Sequence, residues 1–286
     1  MREDDQNIPN LKKTCNFPGQ NAATFSVLDV VKIIKKINSS KAPGPDSIHI
    51  KLLKLAPFEI ACYLKEIYDL SIKLGKVPDA WKIANIVPIP KKGPSSDPAL
   101  YRPISLTSVC CKIFEKIVVK DIMQYLEQNQ ILYIKQHGFR SNRSCETQLL
   151  NLVHELSEKL DAGNQVDMVF LDFAKAFDTV PHQRLISKLK HYKLHPQLIQ
   201  WIEDYLANRS HQVILNNEVS GLERVLSGVP QGSVLGPLLF LLYINDLPEN
   251  VLCTLRLFAD DGLLSKVITC AADALLLQSD VNLCQN

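Results

Sequence analysis

Between residues 255 and 266 the chain reads "LRLFADDGLLSK". Leu255 and Leu257 on one side and Leu263 and Leu264 on the other read as two short apolar strands, with Asp260 and Asp261 adjacent between them. Two like charges beside a hydrophobic core are costly, because partial burial and mutual repulsion both penalise ionisation. One explanation is a plain turn: Asp-Gly favours a hairpin, Gly262 accepting a positive φ while Asp bonds its own backbone. Asp172 points to a second explanation. It ends the apolar run Met168, Val169, Phe170, Leu171 in "VDMVFLDF". If the two strands are neighbours, three carboxylates converge at one sheet edge. Cations that prefer oxygen remove the repulsion, and Mg²⁺ is usual where phosphates complete the shell. Two such ions about 4 Å apart serve phosphoryl transfer by stabilising the attacking and leaving oxygens.

The rest of the composition narrows the alternatives. The 286 residues, 46% hydrophobic, can bury one large core or two modest ones. "MREDDQNIPN" is too polar for a signal peptide. The longest apolar run, "VLGPLLFLLYI", is about half of what a bilayer crossing needs, so a soluble chain with no membrane partner is expected. Eight cysteines show no C-x-x-C spacing, and Cys110 and Cys111 are adjacent; reduced thiols in an intracellular compartment are expected. The sequons at Asn38, Asn142 and Asn208 then carry no sugar. "SGVPQGS" lacks the Gly-Lys-Ser/Thr of a P-loop, and the seven histidines form no H-E-x-x-H. A metal-dependent nuclease, needing the same ions but no nucleotide pocket, remains the alternative enzyme. Charge is uneven: residues 1–143 carry 22 Lys+Arg against 13 Asp+Glu (+9), residues 144–286 carry 10 against 17 (−7). Such a split could place phosphate contacts on one half and cation sites on the other, or reflect chance clustering of solvated charge.

Periodicity predicts a helix from Val27 to Ile37 with Ser26 as N-cap, helices over 48–56 and 57–74, and a strand in "IANIVPIPKKG" ending in a basic turn. Residues 110–128 read as an amphipathic helix with Ile113, Ile117, Ile122 and Leu126 inward. Ser144 caps a helix to about Asp161, closed by Gly163. Further helices are expected at 182–191 and 196–207, a strand near "HQVILN", and a helix in "VLGPLLFLLYINDL" with Pro237 in its first turn. Without regular βαβ alternation, the fold class is α+β.

Three segments now stand in order, "LDFAKAFDTVPHQRL", "GVPQGSVLGPLLFLLYINDLP" and "FADD", preceded by "KAPGPDSI", "IVPIPKKG", "YRPISLTS" and "QHGFRSNRS". Together they resemble the reverse transcriptase of non-LTR (LINE-type) retrotransposons, jockey-like elements in particular, over about residues 25–286. The resemblance implies a right-hand polymerase fold: residues 1–24 an N-terminal extension, 25–165 mostly fingers, 166–286 a palm truncated after the paired-aspartate hairpin, with the thumb absent. It implies an RNA-directed DNA polymerase that transfers nucleotides to a primer 3′-hydroxyl with two Mg²⁺ ions, or Mn²⁺ in their place. RNA template, DNA primer and deoxynucleoside triphosphates are the implied partners, and nucleus and cytoplasm the implied locations. Asp172, Asp260 and Asp261 match the catalytic, metal-binding aspartates, and the Phe173 carbonyl matches a further metal contact. Phe177 matches the aromatic under the incoming sugar, with core packing as the plainer alternative. Gln231 and Gly232 match the loop against the nascent base pair, where the alternative is an ordinary helix-entry turn. Lys91 and Arg102 match basic positions that reach the triphosphate, and Arg140 and Arg143 resemble template contacts. Asp178 is expected to hold a neighbouring loop.

Two departures accompany the resemblance. Gly262 stands where the family usually has Thr, which implies a looser turn. The chain ends 25 residues past Asp261. A polymerase domain with intact ligands and a truncated, non-catalytic remnant that only binds nucleic acid are therefore both expected outcomes, the nuclease less so.

Overall fold

The computed structural model describes residues 17–91, 93, 96–216 and 218–285. Residues 1–16 of the expected N-terminal extension lie outside the described residues, as does Lys92 of the expected basic turn.

Local chemistry starts and stops most elements. Helix α1 (Val27–Lys36) opens on a capping box in which Ser26 Oγ accepts the Asp29 N–H and the Asp29 carboxylate accepts the Ser26 N–H. After the single turn α2 (Ile50–Leu53), α3 (Pro57–Leu74) begins with proline at its first position and ends at Gly75, φ +61°. Strands β1 (Ile83–Pro90) and β2 (Tyr101–Leu106) pair as a hairpin, and Ser108 caps α4 (Val109–Gln128). Ser144 caps α5 (Cys145–Asp161), with Gly163 at φ +76° just beyond it. Then come β3 (Gln165–Asp172), α6 (His182–His191), α7 (Pro196–Leu206), β4 (Ser210–Leu215) and the two-residue strands β5 (Glu218–Val219) and β6 (Glu223–Arg224). The chain continues through α8 (Leu235–Ile244), β7 (Thr254–Phe258), β8 (Asp261–Ile268) and α9 (Ala271–Gln285). Helices and strands mix without βαβ alternation, so the α+β class holds. No helix among the described residues is long and apolar enough to cross a membrane.

The chain divides into two compact units, each built from two stretches of sequence. The first comprises residues 17–129 and Phe177–Leu239. Its sheet runs β2-β1-β4-β5, with β6 also on β4; β1 and β4 are parallel, Ile83 opposite Ser210. The core of this unit is aromatic. Tyr68 stacks on Phe114 at 4.4 Å between centroids, and Phe114 meets the edge of Trp201 at 5.1 Å. Two polar tips in that core are matched: Tyr68 Oη donates to Cys110 O at 2.8 Å, and Trp201 Nε1 donates to Ser71 Oγ at 2.9 Å.

The second unit comprises Gln130–Ala176 and, among the described residues, 240–285. Its sheet is β3-β8-β7, antiparallel throughout, with α5 on β3 and α9 on β8. Leu255, Leu257, Leu263 and Leu264 are all buried, as strands facing a core require. Beneath them Asp280, buried in α9, accepts the N–H groups of Leu252 and Cys253 at 3.0 and 2.7 Å and fixes the entry into β7.

Candidate active site

The hairpin β7–β8 closes on Phe258 opposite Asp261, so its two turn residues are Ala259 and Asp260. Ala259 is left-handed, φ +56°, whereas Asp260 is not. That pattern belongs to a turn with positive φ at its first central position only. The Asp-Gly turn considered from the sequence is therefore corrected. Gly262 lies inside β8, paired with Leu171 on one side and Leu257 on the other, without a positive φ. Its missing side chain has a packing reason: a Cβ there would sit 3.3 Å from Leu171 Cβ.

This register brings the aspartates together. β3 and β8 pair with Asp172 opposite Asp261, and Asp260 precedes Asp261 at the turn. Burial pushes the Asp261 carboxyl up, and the charges of Asp260 and Asp172 push it further in the same direction. Asp172 and Asp261 are exposed and Asp260 is half-buried, so the carboxylates stand at an open sheet end. Among the described residues no group of three or more His, Cys, Asp or Glu side chains is placed to hold a metal ion together. An open carboxylate pair beside a third fits a hard cation that takes one or two carboxylates and completes its shell with phosphate and water. Phe173, half-buried, follows Asp172 directly beyond the end of β3.

The remaining expected site residues fall into two groups. Lys91, Arg102, Phe177, Gln231 and Gly232 all belong to the first unit. Lys91 and Arg102 are exposed at the tip of the β1–β2 hairpin, where the Lys91 N–H donates to Leu100 O and Arg102 pairs with Ile89. The same β2 strand grips the loop of Gln231 and Gly232: the Ser105 N–H donates to Gln231 O at 2.8 Å. A Cβ on Gly232, φ +96°, would sit 2.8 Å from Ser105 O, so this close approach requires glycine. Gln231 Nε2 donates to Asp178 Oδ1 at 3.0 Å, and Ser227 Oγ donates to Asp178 O at the same distance. Asp178 thus holds the neighbouring loop. Phe177 is half-buried, and its carbonyl accepts the Val229 N–H at 2.7 Å.

Arg140 and Arg143 belong to the second unit. Arg140 Nη1 donates to Tyr133 O at 2.9 Å, and Arg143 Nη1 donates to Ile134 O and, at 3.3 Å, to Gln136 O. Both arginines therefore brace the main chain of 133–136. Arg143 also lines a cavity of about 420 Å³ with Lys135, His137, Gln148, Glu155 and Arg256.

The family model described as reverse transcriptase (RNA-dependent DNA polymerase) matches residues 89–281, about two thirds of the chain. The chain belongs to the reverse transcriptase family. Over 256 residues this reverse transcriptase chain is 34% identical to the "Probable RNA-directed DNA polymerase from transposon X-element" of Drosophila melanogaster, covering 87% of the chain and 28% of that protein. It is 31% identical to the RNA-directed DNA polymerase from mobile element jockey of the same fly, over 78% of the chain and 24% of the relative. The jockey enzyme of Drosophila funebris matches at 31% over 86% and 28%. The chain thus spans about a quarter of the length of these curated relatives.

Two residues of the reverse transcriptase chain escaped the reading of its sequence. Glu115 in α4 is fully buried, yet its Oε2 accepts the N–H groups of Val234 and Leu235 at 2.6 and 2.9 Å, capping α8 just after the Gln231 loop. Gln136 lies beside the aspartate turn. Glu115 carries no local signal, because the amides it accepts are 119 or more residues away, and the turn residue that Gln136 accepts, Ala259, lies 123 residues on.

Proposed function

We propose that this chain is the polymerising part of a non-LTR retrotransposon reverse transcriptase, copying an RNA template by adding deoxynucleotides to the 3′-hydroxyl of a DNA primer. The observation that supports it most is the register pair Asp172–Asp261 beside Asp260, in a chain of this family. Bound divalent ions, Mg²⁺ or Mn²⁺, would supply activation of the primer hydroxyl and neutralisation of charge on the departing pyrophosphate. Asp172, Asp260, Asp261 and the Phe173 carbonyl would hold them. Lys91 and Arg102 would bind the triphosphate, Arg as a planar fork and Lys as a point charge. Phe177 would stack under the sugar, and Gln231 with Gly232 would lie against the nascent base pair. Arg140 and Arg143 would contact template. Residues 25–165 would supply mostly fingers and 166–286 the palm, in a protein acting in nucleus and cytoplasm.

The test is incorporation of labelled deoxynucleotides onto a DNA primer annealed to RNA. The reading predicts addition of only the nucleotide complementary to the next template base, and none once Asp260→Ala is introduced. Cleavage of either strand without added nucleotides, lost in Asp260→Ala, would instead mark a nuclease.

A further inference from the structure

The turn that presents Asp260 and Asp261 is held from outside the hairpin. Segment 135–138 runs along the outer edge of β7, bridging in parallel at Gln136 and Leu257. The His137 N–H donates to Leu257 O at 2.9 Å, and the Leu257 N–H donates to Lys135 O at 3.1 Å. Gln136 is only 2% exposed. Its Oε1 accepts the Ala259 N–H at 3.0 Å and the Gly138 N–H at 2.8 Å. Two main-chain donors converge on this atom, so it must be the amide oxygen and not the nitrogen. Nε2 then faces Ala259 O at 3.5 Å. Gly138 is indispensable to the approach, since a Cβ there would lie 2.2 Å from Ala259 N. Arg140 and Arg143 in turn donate to the Gln136 carbonyl at 3.5 and 3.3 Å.

Ala259 needs this support. A non-glycine residue in the left-handed region is strained, and relaxing Ala259, φ +56°, would redirect both following side chains. We propose that Gln136 is a positioning residue: its buried amide fixes the left-handed Ala259 and so aims the Asp260 and Asp261 carboxylates at the divalent cations. The proposal rests on the metal-binding reading of those aspartates. It assigns to "QHGFRSNRS" a function within its own unit, with Gly138 as the clearance and the two arginines as braces.

Hydrogen exchange and Mn²⁺ titration, followed by electron paramagnetic resonance, test this on the unchanged chain, Gln136→Met, Gln136→Glu and Asp260→Ala. Methionine keeps the volume and removes the acceptor; glutamate keeps the acceptor. In the unchanged chain the Ala259 amide should exchange slowly, with the strand amides. In Gln136→Met it should exchange at least about tenfold faster, and Mn²⁺ should bind about tenfold more weakly, while Gln136→Glu keeps the amide protected. Rapid Ala259 exchange in the unchanged chain overturns the proposal whatever the variants do. So does Mn²⁺ affinity unchanged in Gln136→Met but reduced in Asp260→Ala, which leaves the metal reading standing. Affinity equal in the unchanged chain and Asp260→Ala overturns the metal reading and the proposal together.

Discussion

Asp172 and Asp261 stand opposite each other across β3 and β8, two like charges in register on adjacent strands. Without a cation this pairing opposes folding, by a few tenths of a kcal/mol at an exposed sheet end. Asp172→Asn should therefore raise the urea midpoint slightly in a chelating buffer. Added Mg²⁺ should stabilise the unchanged chain more than the variant, reversing the order. The sign with pH follows from Asp261, whose carboxyl is raised by burial and by its two neighbours. Its cost is absent below the ordinary value of 3.8 and appears as pH rises through the raised folded value.

Asp204 behaves in the opposite way. Burial pushes its carboxyl up, but Lys82, the Val77 N–H and Lys76 outweigh that and hold it below the ordinary 3.8. Lys82 Nζ lies 2.8 Å from Asp204 Oδ2, their side chains only 8% and 11% exposed. Asp204→Ala leaves a buried ammonium without this partner and should cost about 3 kcal/mol, read by denaturant unfolding at neutral pH. The contribution of Asp204 in the unchanged chain should be complete above pH 3.8 and lost as pH falls through its lowered folded value.

The Glu115 cap gives a prediction about loop order. Glu115→Ala strips the amides of Val234 and Leu235, at the start of α8, of their acceptor inside the core. A loss of about 2 kcal/mol is expected. Glu115→Gln, which keeps one acceptor oxygen, should recover part of it. Because α8 begins just after the Gln231–Gly232 loop, Glu115→Ala should also raise the KM for nucleotide in primer extension.

How much of this was legible follows from how local each signal is. Ser26 and Ser144 cap helices through residues three positions away, so their motifs can be read directly. β3, β7 and β8 announce themselves as apolar runs, β3 ending on Asp172 and β7 and β8 flanking the paired aspartates. β2 could not be read, because Pro103 interrupts it; the structure tolerates that proline since β2 is an edge strand. β5 and β6, two residues each, are too short to show a period. The turn was misplaced because Asp-Gly is the stronger local signal. Pairing of Gly262 with Leu171, a contact 91 positions apart, overrode it. The three aspartates were legible for the opposite reason, each lying where an apolar run meets a turn or loop.

Charge makes nucleic-acid binding testable. With 22 Lys+Arg against 13 Asp+Glu in residues 1–143, affinity for an RNA–DNA primer-template should fall linearly on a log–log plot against salt. If Arg143 contacts template phosphate, Arg143→Ala should lower that slope by about one. A stability loss with an unchanged slope would confine Arg143 to holding the carbonyls of Ile134 and Gln136. Fluorescence anisotropy over a salt series, with denaturant unfolding alongside, separates the two.

The central claim is that Asp172, Asp260 and Asp261 act as one cation-holding group in nucleotide addition. Single-turnover primer extension on RNA, with Mg²⁺ saturating for the unchanged chain, tests it most directly against Asp261→Asn, which keeps shape and removes one charge. The account predicts a rate at least about a hundredfold lower, ~2.7 kcal/mol of lost transition-state stabilisation. Extension by Asp261→Asn at the rate of the unchanged chain would contradict it.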